Sequence, residues 1–147
     1  MRDEACCSEK QKNIQKNGWH EDVNKIYFTT IKFKDMAHQQ NKSLLAALSN
    51  CAAECNHCAT ACLDEQDVKM LAKCIKLDID CADICALTAS LIARGSQHGI
   101  HLLKECTEVC KACADECEKH AQMGMAHCKT CAAACRQCAE ECTKMAA

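Results

Sequence analysis

The sequence predicts an all-α protein, an antiparallel up-down-up-down four-helix bundle with a cysteine-lined core and a short N-terminal extension, and three observations carry that prediction. The first is a repeated spacing, C-x3-C-x2-C-x3-C, at Cys51, Cys55, Cys58, Cys62, at Cys106, Cys110, Cys113, Cys117 and at Cys131, Cys135, Cys138, Cys142. A fourth copy holds Cys74, Cys81 and Cys85 in the same frame, with Asp78 at the remaining position. A helix turns about 100° per residue, so steps of four, three and four bring the four side chains within roughly 60° of one another; a strand would scatter them over both faces. The second is that the 147 residues include no proline, which suits long uninterrupted helices. The third is that all four aromatics (Trp19, Tyr27, Phe28, Phe33) precede residue 34, so the repeat region must build its interior from sulfur and methyl groups.

Residues 1–40 form the extension, polar and basic, with a strand-like aromatic patch IYFTTIKF and an adjacent pair Cys6–Cys7 badly placed to converge on one metal. We expect this stretch to be loosely ordered. Met36 opens a segment that runs directly into the first helix, which makes it a candidate true start. The bundle then occupies 41–147, with helices at about 42–62, 65–94, 97–122 and 125–145. Leu44, Leu45 and Leu48 lead the first helix, and Asp64-Glu65-Gln66-Asp67 supplies a cap and an acidic first turn for the second. Arg94-Gly95 ends that helix, Ser96 is placed to cap the third, and Met123-Gly124-Met125 separates the third from the fourth. Long helices joined by such short turns pack as antiparallel neighbours.

Composition removes several functions. A net charge of −2 leaves no electrostatic footprint for nucleic acid or a membrane surface. No segment approaches the roughly 18 apolar residues of a spanning helix. The charged N-terminus lacks a signal-peptide core. Disulfides within one stripe would distort it, because Cβ atoms at i and i+4 lie about 5–6 Å apart and a disulfide wants about 3.5–4.5 Å. We therefore expect reduced thiols and a cytoplasmic protein. A di-iron carboxylate enzyme needs two Glu-x-x-His motifs, and the single one, Glu54 to His57, sits on a helix whose cysteines hold the core face. The chain is not expected to be an enzyme.

Ligand type selects the metal. Thiolates favour Cu(I), Zn(II) or iron–sulfur clusters. Zinc prefers four ligands in a tetrahedron, commonly from C-x2-C pairs on loops. Here C-x3-C lies inside helices and recurs seven times, at 51/55, 58/62, 81/85, 106/110, 113/117, 131/135 and 138/142. A linear S–metal–S unit spans roughly 4.6 Å if its bonds resemble Zn–S, within reach of such a pair after modest rotamer changes, and two-coordination is a Cu(I) preference. The C-x2-C steps 55/58, 110/113, 128/131 and 135/138 let sulfurs bridge successive ions. Sixteen of the eighteen cysteines fall in the bundle, far more than one site needs, so the interior reads as a reservoir of Cu(I) with many ions per chain. The alternative is a zinc or mixed-metal thiolate buffer. The expected ligands are Cys51, Cys55, Cys58, Cys62, Cys74, Cys81, Cys85, Cys106, Cys110, Cys113, Cys117, Cys128, Cys131, Cys135, Cys138, Cys142 and His120.

One bundle end turns aliphatic on the stripe (Leu44, Leu48, Ile92, Leu102, Leu103) and reads as a dry plug. The other carries Met70, four before Cys74, and His120, three after Cys117, with Met123, Met125 and His127 in or beside the adjoining turn. Thioether and imidazole hold Cu(I) less tightly than thiolate, which suits an entry route; filling by Met and solvation of His is the plainer account of these residues. His57, His98 and His101 are read as surface residues, as are Lys104, Glu105, Lys111, Asp115, Glu118 and Lys119.

On these C-x3-C-x2-C-x3-C units, the sequence resembles the copper storage proteins over about residues 41–145. The resemblance implies a bundle whose lumen holds many Cu(I) ions on thiolate pairs, a homo-tetramer, and a cytosolic role beside a copper chaperone or copper enzyme. Asp78 departs from the pattern, since a carboxylate is a hard ligand poorly matched to Cu(I).

Overall fold

The computed structural model describes residues 41–146; the extension, with Cys6, Cys7, its aromatics and Met36, lies outside them. Four helices follow in order: α1 (Lys42–Leu63), α2 (Val68–Ala93), α3 (Gln97–Gln122) and α4 (Ala126–Ala146). Each packs on two neighbours, α1 on α2 and α4, α3 on α2 and α4, which closes an antiparallel ring around one axis. No helix of the described residues is long and apolar enough to cross a membrane.

The phase of each helix is set by alternating steps of three and four along the buried stripe: Leu44, Leu48, Cys51, Cys55, Cys58, Cys62 on α1, and Leu71, Cys74, Asp78, Cys81, Cys85, Thr88, Ile92 on α2. The same alternation gives Leu103, Cys106, Cys110, Cys113, Cys117, His120 on α3 and Cys128, Cys131, Cys135, Cys138, Cys142 on α4. All sixteen cysteines are fully buried.

The helix starts differ most at the second helix, while α4 begins at Ala126, one residue later than expected. α2 begins at Val68 rather than 65, because the backbone of Asp64 still closes α1 (N–H to Ala61 carbonyl, 3.1 Å) while Asp67 is the cap, its Oδ1 accepting from the Met70 N–H at 3.2 Å. Ser96 stands at the start of α3 with an extended backbone and makes no side-chain cap bond. The ends of α2 and α3 are built alike: Gly95 (φ +67) and Gly124 (φ +99) take left-handed conformations. Ser96 N–H then reaches the Leu91 carbonyl at 2.9 Å and Met125 N–H the His120 carbonyl at 3.3 Å.

Between the ends the core is sulfur, alanine and a few leucines. Leu44, Leu48, Leu103 and Ile92 are buried together at the end where the chain enters α1, with Leu102 only half-buried. Because these few aliphatics carry most of the ordinary hydrophobic packing, Leu48→Ala is expected to destabilise the reduced, metal-free protein by about 2–5 kcal/mol, read as a drop in the urea midpoint at unchanged slope. On the outside, Asp115, Glu118 and Lys119 are paired rather than merely solvated. Arg136 of α4 forks onto Glu118 of α3 with both bonds at 2.9 Å and also reaches Asp115. Such exposed pairs contribute at most about 1 kcal/mol each.

Candidate metal centre

Four stripes facing one axis turn sixteen separate thiols into a continuous column, and they are free thiols among the described residues. Sets of four whose ligand atoms all lie within 4.8 Å of one another include Cys51, Cys81, Cys85, Cys110; Cys51, Cys55, Cys81, Cys135; Cys55, Cys113, Cys131, Cys135; and Cys85, Cys106, Cys110, Cys138. Taken along the column, neighbouring sets share two sulfurs each, Cys85 and Cys110, then Cys51 and Cys81, then Cys55 and Cys135, so an ion held in one already touches ligands of the next. Inside a helix, the Sγ atoms of 51/55, 106/110 and 131/135 stand 4.0 Å apart, so a small rotamer change brings them to the roughly 4.6 Å that two metal–sulfur bonds span in line.

The shortest sulfur contacts cross between helices: Cys55–Cys135, Cys74–Cys117 and Cys85–Cys106 at 3.5 Å, and Cys51–Cys135, Cys81–Cys110, Cys85–Cys110 and Cys55–Cys131 at 3.6 Å. The repeat spacing alone pairs cysteines only along a helix, since the register between helices is a product of packing. Cys51, Cys55, Cys106, Cys110, Cys131 and Cys135 therefore have sulfur partners both along and across the bundle.

Asp78 lies inside this column, fully buried. The thiols of Cys113, Cys131 and Cys117 donate to its Oδ1 at 3.0, 3.3 and 3.4 Å, and Cys74 donates to Oδ2 at 3.7 Å. Burial first, and then the negative charge of Cys113 and Cys131 when ionised, push its carboxyl up to about 11. Near the mouth, burial followed by the charges of Cys128 and Cys74 pushes the Cys62 thiol up. A soft cation entering here displaces protons, and its uptake therefore weakens as pH falls.

At the end away from the aliphatic plug the expected entry residues divide. His120 is buried, in phase with the stripe of α3, and neither ring nitrogen has a hydrogen-bond partner. His127 is half-buried; its Nε2 lies 3.5 Å from Cys62 Sγ, and with Cys58, Cys62 and Cys128 it forms a further compact set of ligand atoms. Met125 packs against the core, while Met123 is exposed in the turn. Met70 is off the stripe and 42% exposed. The alternation that runs through Cys74 steps back three residues to Leu71, fully buried, and leaves Met70 about 100° away. His57, His98 and His101 are exposed.

Two acidic residues at this end escape a reading based on cysteine spacing. Glu116 is buried, and Lys73 and Lys119 donate to its Oε2 at 2.8 and 2.7 Å; the Lys119 bond first, then that of Lys73, holds its carboxyl below the usual value. Glu65 stands beside His127. The signal for the first was present as an i, i+4 pair, Glu116 to His120, one residue ahead of Cys117.

Comparison with known proteins agrees with this geometry. A family model described as "Copper storage protein" matches residues 37–147. The fold superposes on a Cu(I)-bound copper storage protein of Bacillus subtilis, BsCsp3, with TM-score 0.69 and 41% identity, covering 74% of this chain and 99% of that one. It also superposes on a cytosolic copper storage protein from Streptomyces lividans, loaded with five coppers, with TM-score 0.70 and 38% identity over 76% of this chain and 96% of that one. A stretch of 58 residues is 41% identical to the uncharacterized cysteine-rich protein YhjQ of Bacillus subtilis (strain 168), and this match spans 40% of the chain and 54% of that relative. With the matched region running through all four sulfur stripes, the chain belongs to the copper storage protein family.

Proposed function

We infer that this protein takes up and stores many Cu(I) ions in the thiol column, without catalysis. The observation that carries the reading is the overlap of the four-sulfur sets: Cys51, Cys55, Cys81, Cys85, Cys110 and Cys135 each belong to two of them. Sharing of this kind suits two-coordinate Cu(I) bridged by thiolates. Zinc takes four ligands in a tetrahedron and so draws more sulfurs per ion from the column than two-coordinate Cu(I) does. The proposed ligands are the sixteen bundle cysteines, with His120 and His127 receiving ions at the mouth and Met125 beside them. The aliphatic end formed by Leu44, Leu48, Leu103 and Ile92 makes that mouth the single route in.

The reading includes a cytosolic setting, exchange of copper with a chaperone or copper enzyme, and a homo-tetramer. Ile79 and Leu87 on α2 and Ile100 on α3 are exposed apolar side chains available for self-association. Storage of copper rather than zinc is tested by competition under anaerobic conditions. The protein is expected to strip Cu(I) from a strong Cu(I) chelator in several equivalents, and to lose to a zinc chelator of comparable strength. Tight retention of zinc with weak copper binding would overturn the assignment.

A further inference from the structure

Both imidazoles at the mouth face a carboxylate, and they do so through opposite ring nitrogens. His120 turns Nε2 toward Glu116 Oε1 at 3.8 Å, too long for a hydrogen bond as it stands. The other oxygen of Glu116 is occupied by Lys73 of α2 and Lys119 of α3. The carboxylate is thereby fixed from two helices, and Oε1 alone is left to meet the ring. His127 presents Nδ1 to Glu65 Oε1 at 3.9 Å and Nε2 to the Cys62 sulfur at 3.5 Å. A histidine that binds metal through one nitrogen nearly always donates its other N–H to such an acceptor, which sets the tautomer and raises the basicity of the ligating nitrogen.

We propose that Glu116 and Glu65 are positioning residues that fix opposite tautomers on the two mouth histidines and so aim one lone pair from each at incoming Cu(I). Glu116 takes the Nε2–H of His120 and leaves its Nδ1 free. Glu65 takes the Nδ1–H of His127 and leaves Nε2 free, on the side of Cys62. Cu(I) on the free nitrogen polarises the opposite N–H and draws it into hydrogen-bond distance of the waiting carboxylate. Lys73 and Lys119 hold Glu116 in place for this and keep its charge from being isolated in a buried position. The inference rests on the Cu(I)-storage reading for its purpose, but the tautomers exist in the metal-free protein and are measured there.

The first experiment is long-range ¹H–¹⁵N NMR of ¹⁵N-histidine-labelled, reduced, metal-free protein near neutral pH, with His120→Ala and His127→Ala as assignment controls. The expected result is Nε2–H on His120 and Nδ1–H on His127, the second being the less common form of free histidine. Any other tautomer on either ring, or a doubly protonated ring, overturns the proposal for that residue.

The second experiment follows Cu(I) transfer from its bicinchoninate complex by stopped flow. Glu116→Ala is expected to slow loading by about 10–100-fold and to mix the His120 tautomers, with the Glu116→Ala/His120→Ala double variant no slower than His120→Ala. Glu116→Gln keeps its amide oxygen on the two lysines and turns its NH2 donor toward Nε2, so it is expected to favour Nδ1–H on His120 and to load about as slowly as Glu116→Ala. Exposed Glu105→Gln loads as the parent does. A Glu116→Gln variant that keeps Nε2–H on His120 and loads at the parent rate would show that the oxygen facing the ring does not set the tautomer, and would overturn the proposal. Additive losses in the double variant, or a Glu116→Ala variant loading at the parent rate, would likewise overturn the proposal. Failure of the parent protein to take up Cu(I) would sink the storage reading and leave the NMR result standing on its own.

Discussion

Anaerobic titration of the reduced protein with Cu(I) is expected to saturate at many equivalents and to raise the melting temperature by at least about 20 °C. Sixteen buried thiols bound two per ion without sharing hold eight ions, and full sharing of each sulfur between two ions doubles that to sixteen. The end point is therefore expected between those limits. Each site filled at a hundredfold excess over its dissociation constant contributes about 2.7 kcal/mol. A domain of this size shifts by several degrees per kcal/mol, so even a partly filled column dominates stability. The cause is structural: the metal-free core is sulfur and alanine with few large aliphatics, and each ion crosslinks helices that otherwise meet through weak thiol contacts. Saturation at one or two equivalents with an unmoved melting curve would contradict a column of shared sites.

The second large effect is expected from Asp78→Asn in the metal-free state. The Asp78 carboxyl is raised from 3.8 to about 11, first of all by its burial. Between those values the folded protein holds a proton that the unfolded chain has released. The stability contributed by the protonated group is complete below the unfolded value and declines as pH rises, with a slope approaching about 1.4 kcal/mol per pH unit. Asparagine keeps the shape, still accepts from Cys113, Cys117 and Cys131, and does not titrate. The variant is expected to be more stable than the parent by several kcal/mol near pH 7.5, on the order of 3–5 from the same slope, and equal to it near pH 4. Urea unfolding of both proteins with reductant across this range reads the difference, in which the thiols common to both cancel. Parallel stability curves for parent and variant would show that Asp78 ionises in the fold at no cost.

The helical bundle was legible because a three-four alternation of cysteine has one structural solution, and its reach was long: the buried position of His120 follows from counting on from Cys117. The same counting, carried backward from Cys74, arrives at Leu71, and the different step taken to Met70 broke the alternation. What the spacing does not contain is the register between helices. The contacts of Cys55 with Cys135 and of Cys85 with Cys106 depend on how α1 sits beside α4 and α2 beside α3, which packing decides. Nor does it reveal that Asp78, a gap in a cysteine repeat when read along the chain, is a hydrogen-bond hub for Cys74, Cys113, Cys117 and Cys131. The tie from Glu116 to α2 was hidden for a similar reason. Its partner Lys73 lies 43 positions earlier, and only the fold makes the two neighbours.

The leucine and isoleucine seal has a temporal consequence. On the single route proposed above, copper leaves in the reverse of the order in which it arrived, so ions beside Cys106 and Cys142 are the oldest held and ions beside Cys62 and Cys128 the first to be given up. The quantity held and the quantity promptly deliverable are then different properties of the same molecule, and a recipient that samples the opening draws on the most recent arrivals first.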